Sequence, residues 1–230
     1  MSYLDHCRYR GLDGVVIACI NFDELEVIEL IQSDLPVVTI DHLFNDRIAI
    51  MSDNSKGIKE LLTYVYECGH RKIAYIHGAD KSSVTISRLD SFFKTAGELG
   101  IDIPDEYIRE AAYRDTATTA QITNELLDLQ NPPTCILFPD DFASLGGMNA
   151  IKARGLEIPK DISVAGYDGI RVTRYIAPQL TTINQDTQRL GQYAGEKLID
   201  LIQRPNATLI ENVVVSGELE KGATVSKCNL

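Results

Sequence analysis

The amino-acid sequence predicts an α/β fold built on parallel, doubly wound sheet. Three observations lead there. Short, wholly apolar runs alternate with segments of helical period along the chain. The runs suit strands whose sheet is covered by helices on both faces. Several of them stop abruptly at a polar or aromatic residue, as in DISVAGYDG, Asp161 to Gly169.

The elements follow in order. DGVVIACI, from Asp13, is a short apolar strand. ELEVIELIQSD reads as a helix because Leu25, Ile28 and Ile31 recur every third residue. LPVVTID is the next strand and ends in Asp41. SKGIKELLTYVYECGH is a strong helix: Ile58, Leu61, Leu62 and Val65 share a face, Asn54 or Ser55 caps it, and Gly69 stops it. KIAYIHG is a strand. SRLDSFFKTAGELG is a helix with Leu89, Phe92, Phe93, Ala96 and Leu99 inward and Gly100 as its stop. YIREAAY and TCILFP are strands on either side of the helix TTAQITNELLDL. DFASLGGMNAIKARG is a helix closed by Gly155, ISVAGYD a strand, LTTINQ an extended segment, and RLGQYAGEKLIDLI the last long helix. RPNA, from Arg204, is a surface turn.

A length of 230 residues suits one large α/β domain or two small ones, and 44% hydrophobic residues supply a real core. The net charge of -11, with no basic run, argues against a grip on a phosphate backbone. Cys7, Cys19, Cys68, Cys135 and Cys228 include no C-x-x-C pair and read as buried thiols in a reducing compartment. No charged-then-apolar leader opens the chain and no apolar run approaches membrane-spanning length, so a soluble, cytoplasmic protein with no membrane partner is expected.

In an open parallel sheet, ligands sit beyond the carboxyl ends of the strands. Here those ends read Asp41, Gly78, Tyr113, Asp140–Asp141, Asp168 and Gln185. Carboxylates and an amide accept and donate in the pairs that sugar hydroxyls and heterocycle edges require, and Tyr113 and Tyr167 offer flat apolar faces. The plainer reading is that Asp140 or Asp141 merely caps the helix at FASLGG. Arg88 is either a solvated helix residue or a guanidinium aimed at the strand ends from a helix start. His6, His42, His70 and His77 read as surface or capping groups, and no two have metal-ligand spacing. Enzyme motifs fail: GADKSS lacks the Gly-Lys pairing of a phosphate loop, GGMNA opens no helix, and there is no G-x-S-x-G elbow. Asp140, Asp141 and Asp168 have no phosphate cradle beside them to make a Mg²⁺ site. No enzyme, cofactor or metal is expected.

CILFPDDFASLGGMNAIKARGLEIPKDISVAGYDG followed by APQLTTINQDTQRLGQYAGEKLIDLI closely resembles the effector-binding domain of the LacI/GalR (lac repressor) family. LDGVVIA, PVVTID, LLTYVYECGHRKIAYIHG and the spaced Arg88 match as well, so the resemblance covers almost the whole chain. It implies two doubly wound parallel-sheet subdomains of the periplasmic binding protein-like type I kind. They would be residues 1–52 plus 185–212, with the first subdomain incomplete, and residues 53–184 plus 213–230. It implies effector contacts at Asp41, Arg88, Tyr113, Asp140, Asp168 and Gln185, no catalytic residue, and a small-molecule effector that is a sugar or a nucleoside or purine. A homodimer is implied, with the helix from Phe142 to Arg154 and its stripe of Phe142, Leu145, Met148 and Ile151 at the interface; the plainer reading is that the stripe packs entirely on its own sheet. Two departures stand out. The family's Asn-Asp pair reads Asp140–Asp141 here, which turns an amide into an acceptor-only group. SYLDHCRYRGLDG enters at the tail of the family's second helix, so a helix-turn-helix and roughly 30 further residues are expected to be missing. Operator DNA would then be bound only through that missing N-terminal domain, and DGVVIAC would form an exposed sheet edge. The alternative is the solute-binding protein of a sugar transporter.

Overall fold

The structure is a computed structural model that describes residues 1–18, 21–79 and 82–228. Cys19 and Ile20 of the first expected strand, Asp80 and Lys81 of the GADKSS loop, and Asn229 and Leu230 lie outside the described residues. In chain order the elements are α1 (Tyr3–Arg10), β1 (Val15–Ile17), α2 (Leu25–Gln32), β2 (Val37–Ile40), β3 (Ile48–Ser52), α3 (Asn54–Glu67), β4 (Ile73–Gly78), α4 (Ser83–Leu99), β5 (Ile108–Ala111), α5 (Thr116–Leu127), β6 (Cys135–Leu137), α6 (Asp141–Ala153), β7 (Ser163–Asp168), β8 (Thr181–Asn184), α7 (Thr187–Gln203), β9 (Asn212–Val215) and β10 (Glu218–Glu220). No helix among the described residues is long and apolar enough to cross a membrane.

The chain divides into two compact units: residues 1–53 with 186–215, and residues 54–185 with 216–230. Gln185 therefore belongs to the second unit, and Val213–Val215 to the first. The latter follows from β9, whose four residues pair in parallel with Ala49–Ser52.

The first unit carries a four-stranded sheet in the order β1-β2-β3-β9, all parallel, with β1 at one edge. Val27, Leu30 and Ile31 of α2 are buried, while Leu25, at 84% exposure, is not. Of the expected face, Ile31 is buried and Ile28 half-buried, while Leu25, which opens the helix, lies outside the packed stripe. β3 escaped sequence reading. Only residues 41–47 separate it from its parallel neighbour β2, far less than the helical crossover such pairs ordinarily need.

The second unit carries six strands in the order β10-β8-β7-β6-β4-β5. All pair in parallel except the short edge strand β10, which runs antiparallel to β8. Strand direction alternates side chains between two cores. Ile73 and Tyr75 of β4 join Ile58, Leu61 and Leu62 of α3 and Phe92 of α4. Ala74 and Ile76 join Ile122 and Leu126 of α5 and Met148 and Ile151 of α6. Each fully buried Leu, Ile or Phe contributes about 1.5–3 kcal/mol, so both faces hold the sheet strongly. α4 starts earlier than expected because Ser82 caps it, its side chain accepting from the Thr85 N–H. Phe93 is half exposed rather than inward. Cys7 and Cys135 are buried, as the thiol reading expected, but Cys68 and Cys228 are only partly so.

In this sheet the chain leaves β4 for β5 on one side and returns to β6 on the other. That reversal makes the carboxyl ends of β4 and β6 the topological switch point, the place where open α/β sheets bind ligands.

Candidate functional site

The candidate site at that switch point is built from residues that the strands deliver to one edge. β4 ends in Gly78, where a Cβ would lie 2.5 Å from the ring of Tyr113. A glycine at this position is what lets the half-buried Tyr113 ring lie across the strand end. The Tyr113 hydroxyl is held 2.8 Å from Thr85 Oγ1 at the start of α4.

Arg88 sits one turn further along α4 and is only 4% exposed. A buried guanidinium is costly unless its donors are met. Here Nε donates to Asn54 Oδ1 at 2.8 Å and Nη1 donates to the Pro139 carbonyl at 3.0 Å. The guanidinium lies 3.7 Å from the centre of the Tyr167 ring and 5.8 Å from that of Tyr113. Nη2 stands 3.9 Å from Asp168 Oδ1. Arg88 is therefore neither a solvated helix residue nor a loose arm. It is the hub of a network that reaches α3, the β6 end and the β7 end.

Asp168 ends β7 with its side chain 30% exposed, and its Oδ1 accepts from Gln185 Nε2 at 2.6 Å. Its φ is 112°, followed by Gly169 at 73°. A non-glycine residue in that region costs about 1–3 kcal/mol and persists where the surroundings over-determine it. The close approach explains the glycine: a Cβ at 169 would come within 2.6 Å of Asn184 Cα.

Of the acidic pair, Asp140 matches the plainer reading of a helix cap. Asp140 is the cap of α6. Its Oδ1 accepts from the Ala143 N–H at 2.9 Å, and its Oδ2 from the Arg114 N–H at 2.7 Å. With both oxygens met by backbone and the residue buried, Asp140 fixes α6 and the loop after Tyr113. Asp141 is buried behind it, Oδ1 accepting from Thr182 Oγ1 at 2.6 Å and Oδ2 from the Ile170 N–H at 2.9 Å. Burial pushes the Asp141 carboxyl up to about 7; the Thr182 and Ile170 hydrogen bonds pull against this and the nearby Asp168 charge adds to it. Tyr167 is buried beneath Arg88, its hydroxyl where a Cβ at Gly57 would be 2.2 Å away, so it is no free face for a ligand.

In the first unit, Asp41 has φ 57° and donates its N–H to the Ile50 carbonyl at 2.9 Å. Its Oδ1 accepts from the Ser52 N–H at 2.6 Å and its Oδ2 from Ser52 Oγ at 3.1 Å. It thus ties the end of β2 to the end of β3. His42 stacks on Phe22 with centroids 4.2 Å apart, and His77 Nδ1 lies 2.7 Å from the Gly78 oxygen. His70 is buried, against the surface expectation.

The structure thus gathers Arg88, Tyr113, Asp168 and Gln185 at one edge of the second unit and leaves Asp41 at the strand ends of the first. Sequence reading took Asn54 only as a helix cap and missed Thr85; the two position Arg88 and Tyr113. Asn54 directly follows β3 and Asp53, so the strand-end rule would have reached that segment had β3 been read. Chemically, the edge offers a cation, a carboxylate, an amide and a ring side by side, which alternates donors and acceptors as a polyol or a heterocycle edge does.

A family model described as the periplasmic binding protein-like domain matches residues 62–225. Over 213 residues the chain is 30% identical to the probable HTH-type transcriptional repressor ExuR of Bacillus subtilis (strain 168), covering 92% of this chain and 63% of that protein. It is 33% identical over 207 residues to the HTH-type transcriptional repressor PurR of Glaesserella parasuis serovar 5 (strain SH0165), covering 89% and 61%. The crystal structure of a LacI family transcriptional regulator from Enterococcus faecium with bound ribose superposes with a TM-score of 0.87 at 26% identity, covering 99% of this chain and 84% of that one. The chain spans about three fifths of the length of these two curated relatives.

Proposed function

We propose, from the premise that this chain belongs to the periplasmic binding protein-like domain family in its LacI/GalR regulator form, that it is the effector-sensing and dimerisation part of a transcription regulator. The observation that carries the reading is the array of Arg88, Asp168 and Gln185 at the carboxyl edge of the second sheet, with the Tyr113 ring beside it. Asp168 and Gln185 orient the effector, Arg88 holds Asp168 and presents its remaining donor capacity, and Tyr113 supplies an apolar face. Asp41 is proposed as a contact point at the strand ends of the first unit. Asp140 acts indirectly, by holding α6 and the backbone at Arg114.

The effector is a sugar or a nucleoside or purine; the ribose bound to the Enterococcus faecium relative supports the sugar class. No reaction is assigned, and the protein works in the cytoplasm as a homodimer. Operator contact is assigned to a part of the whole regulator other than these two units, whose net charge of -11 opposes a duplex grip. The relatives' names as repressors favour this reading over a transporter's solute-binding protein.

Thermal-shift screening against pentoses, hexoses, uronates, nucleosides and purines tests it. A ligand at about 100 times its Kd adds roughly 2.7 kcal/mol to the stability of the protein. One compound class raising the transition saturably is the expected result. A flat response across all of these classes at millimolar ligand contradicts the reading.

A further inference from the structure

Three of the five cysteines, far apart in sequence, converge at the end of the second unit away from the Arg88 network. Cys68 follows the last residue of α3, Cys135 opens β6, and Cys228 lies on the C-terminal tail. The buried His70 ring stitches the three segments together. Its Nδ1 lies 2.9 Å from Thr134 Oγ1, next to Cys135, and its Nε2 lies 3.1 Å from the Ser226 carbonyl, two residues before Cys228. The tail closes on α3 directly: the Cys228 N–H donates to the Cys68 carbonyl at 2.7 Å. Gly69 leaves room for this, since a Cβ there would be 2.6 Å from the Cys228 oxygen.

We propose that Cys68 and Cys228 are a thiol pair that closes to a disulfide under oxidising conditions and pins the C-terminal tail to the end of α3. The single Cys228 N–H to Cys68 carbonyl bond brings the two backbones into direct contact, within the Cα separation of about 4.4–6.8 Å that a disulfide spans. Both cysteines are partly exposed, so an oxidant reaches them. The Tyr64 hydroxyl is within hydrogen-bonding reach of the Cys68 side chain. Cys135 is the buried neighbour that stays out of the exchange, since burial pushes its thiol far up, with Cys68 and Cys228 close enough to add to the effect.

The oxidant is a low-molecular-weight disulfide of the glutathione class. The Cys68 thiolate attacks one of its sulfurs, forming a mixed disulfide and releasing one small thiol. The Cys228 thiolate then attacks Cys68 Sγ and releases the second small thiol. Two electrons pass to the oxidant, and the two protons of the cysteines end on the released thiols.

The test uses the intact, folded chain. It is incubated with glutathione disulfide, its remaining thiols are blocked with N-ethylmaleimide, and its peptides are mapped by mass spectrometry. The expected result is one cross-linked peptide joining Cys68 to Cys228, with two of the five alkylatable thiols lost and both recovered on adding dithiothreitol. Cys68→Ser and Cys228→Ser should each abolish the cross-link and leave a glutathione adduct on the remaining partner. Two things would overturn the proposal: separate adducts on Cys68 and Cys228 with no cross-link in the wild type, or a cross-link from either of them to Cys135 instead.

Discussion

Arg88→Met is the sharpest perturbation of the second unit. Methionine keeps much of the buried volume and removes the charge and all the donors. Asn54 Oδ1 loses its 2.8 Å donor and the Pro139 carbonyl its 3.0 Å donor, both in a buried setting. Each such loss costs about 1–3 kcal/mol. The stacked contact with Tyr167, at 3.7 Å, adds about 0.5–2 kcal/mol when desolvated. Against this, apolar replacement removes the cost of burying a cation, which is often substantial. The net is a destabilisation of about 2–4 kcal/mol. Urea unfolding followed by far-UV circular dichroism reads it as a lower midpoint at unchanged slope. Arg88→Lys should recover only part of the loss, because an ammonium cannot serve the Asn54 and Pro139 acceptors and stack on Tyr167 together. Asp168→Asn, whose carboxylate is partly solvated and 3.9 Å from the guanidinium, should cost less than about 1 kcal/mol. A loss below about 0.5 kcal/mol for Arg88→Met would refute the view of Arg88 as the hub.

The remaining expectations can be taken together. The Asp141 carboxyl is raised to about 7, so the folded state holds its proton where the unfolded chain has released it, and the stability this contributes is lost as pH rises from about 4 through 7. Asp141→Asn should remove that slope, on the order of 2–4 kcal/mol between the two ends, and parallel stability-against-pH curves for the two proteins would contradict it. On α6, Met148 and Ile151 are committed to the core, while Phe142 is 41% exposed and Leu145 half buried. If this end of the helix joins a dimer, Phe142→Glu should shift sedimentation toward monomer without changing the circular dichroism spectrum; a wild-type chain that is wholly monomeric at high micromolar concentration speaks against the interface. Duplex DNA titrated at physiological salt should show no salt-sensitive binding to this chain, and a sub-micromolar affinity falling steeply with salt would overturn that.

Much of the second unit was legible because its strands are continuous apolar runs punctuated by glycines at 69, 100 and 155, each with positive φ. The polar strand ends were legible for the same reason: a carboxylate after ISVAGY has no place in a core. What stayed hidden depends on partners distant in sequence. The burial of Arg88 needs Asn54, Pro139 and Tyr167, which come from three separate segments. Asp140 and Asp141 look alike in sequence, and only their neighbours separate a helix cap from a clasp on Thr182 and Ile170. The strand IAIMS was lost to its short connection, and ELE at 218–220 is too polar to read as sheet.

The central claim is that Asp168 and Gln185, held by Arg88, receive a small effector. Isothermal titration of wild type and Asp168→Asn with the compound found by thermal shift tests it most directly. Losing a charge-assisted hydrogen bond should weaken binding by about 1.5–3 kcal/mol, which is roughly tenfold to more than a hundredfold in Kd, with the fold intact. Equal affinity in the two proteins, with both folded, would contradict the assignment of the site.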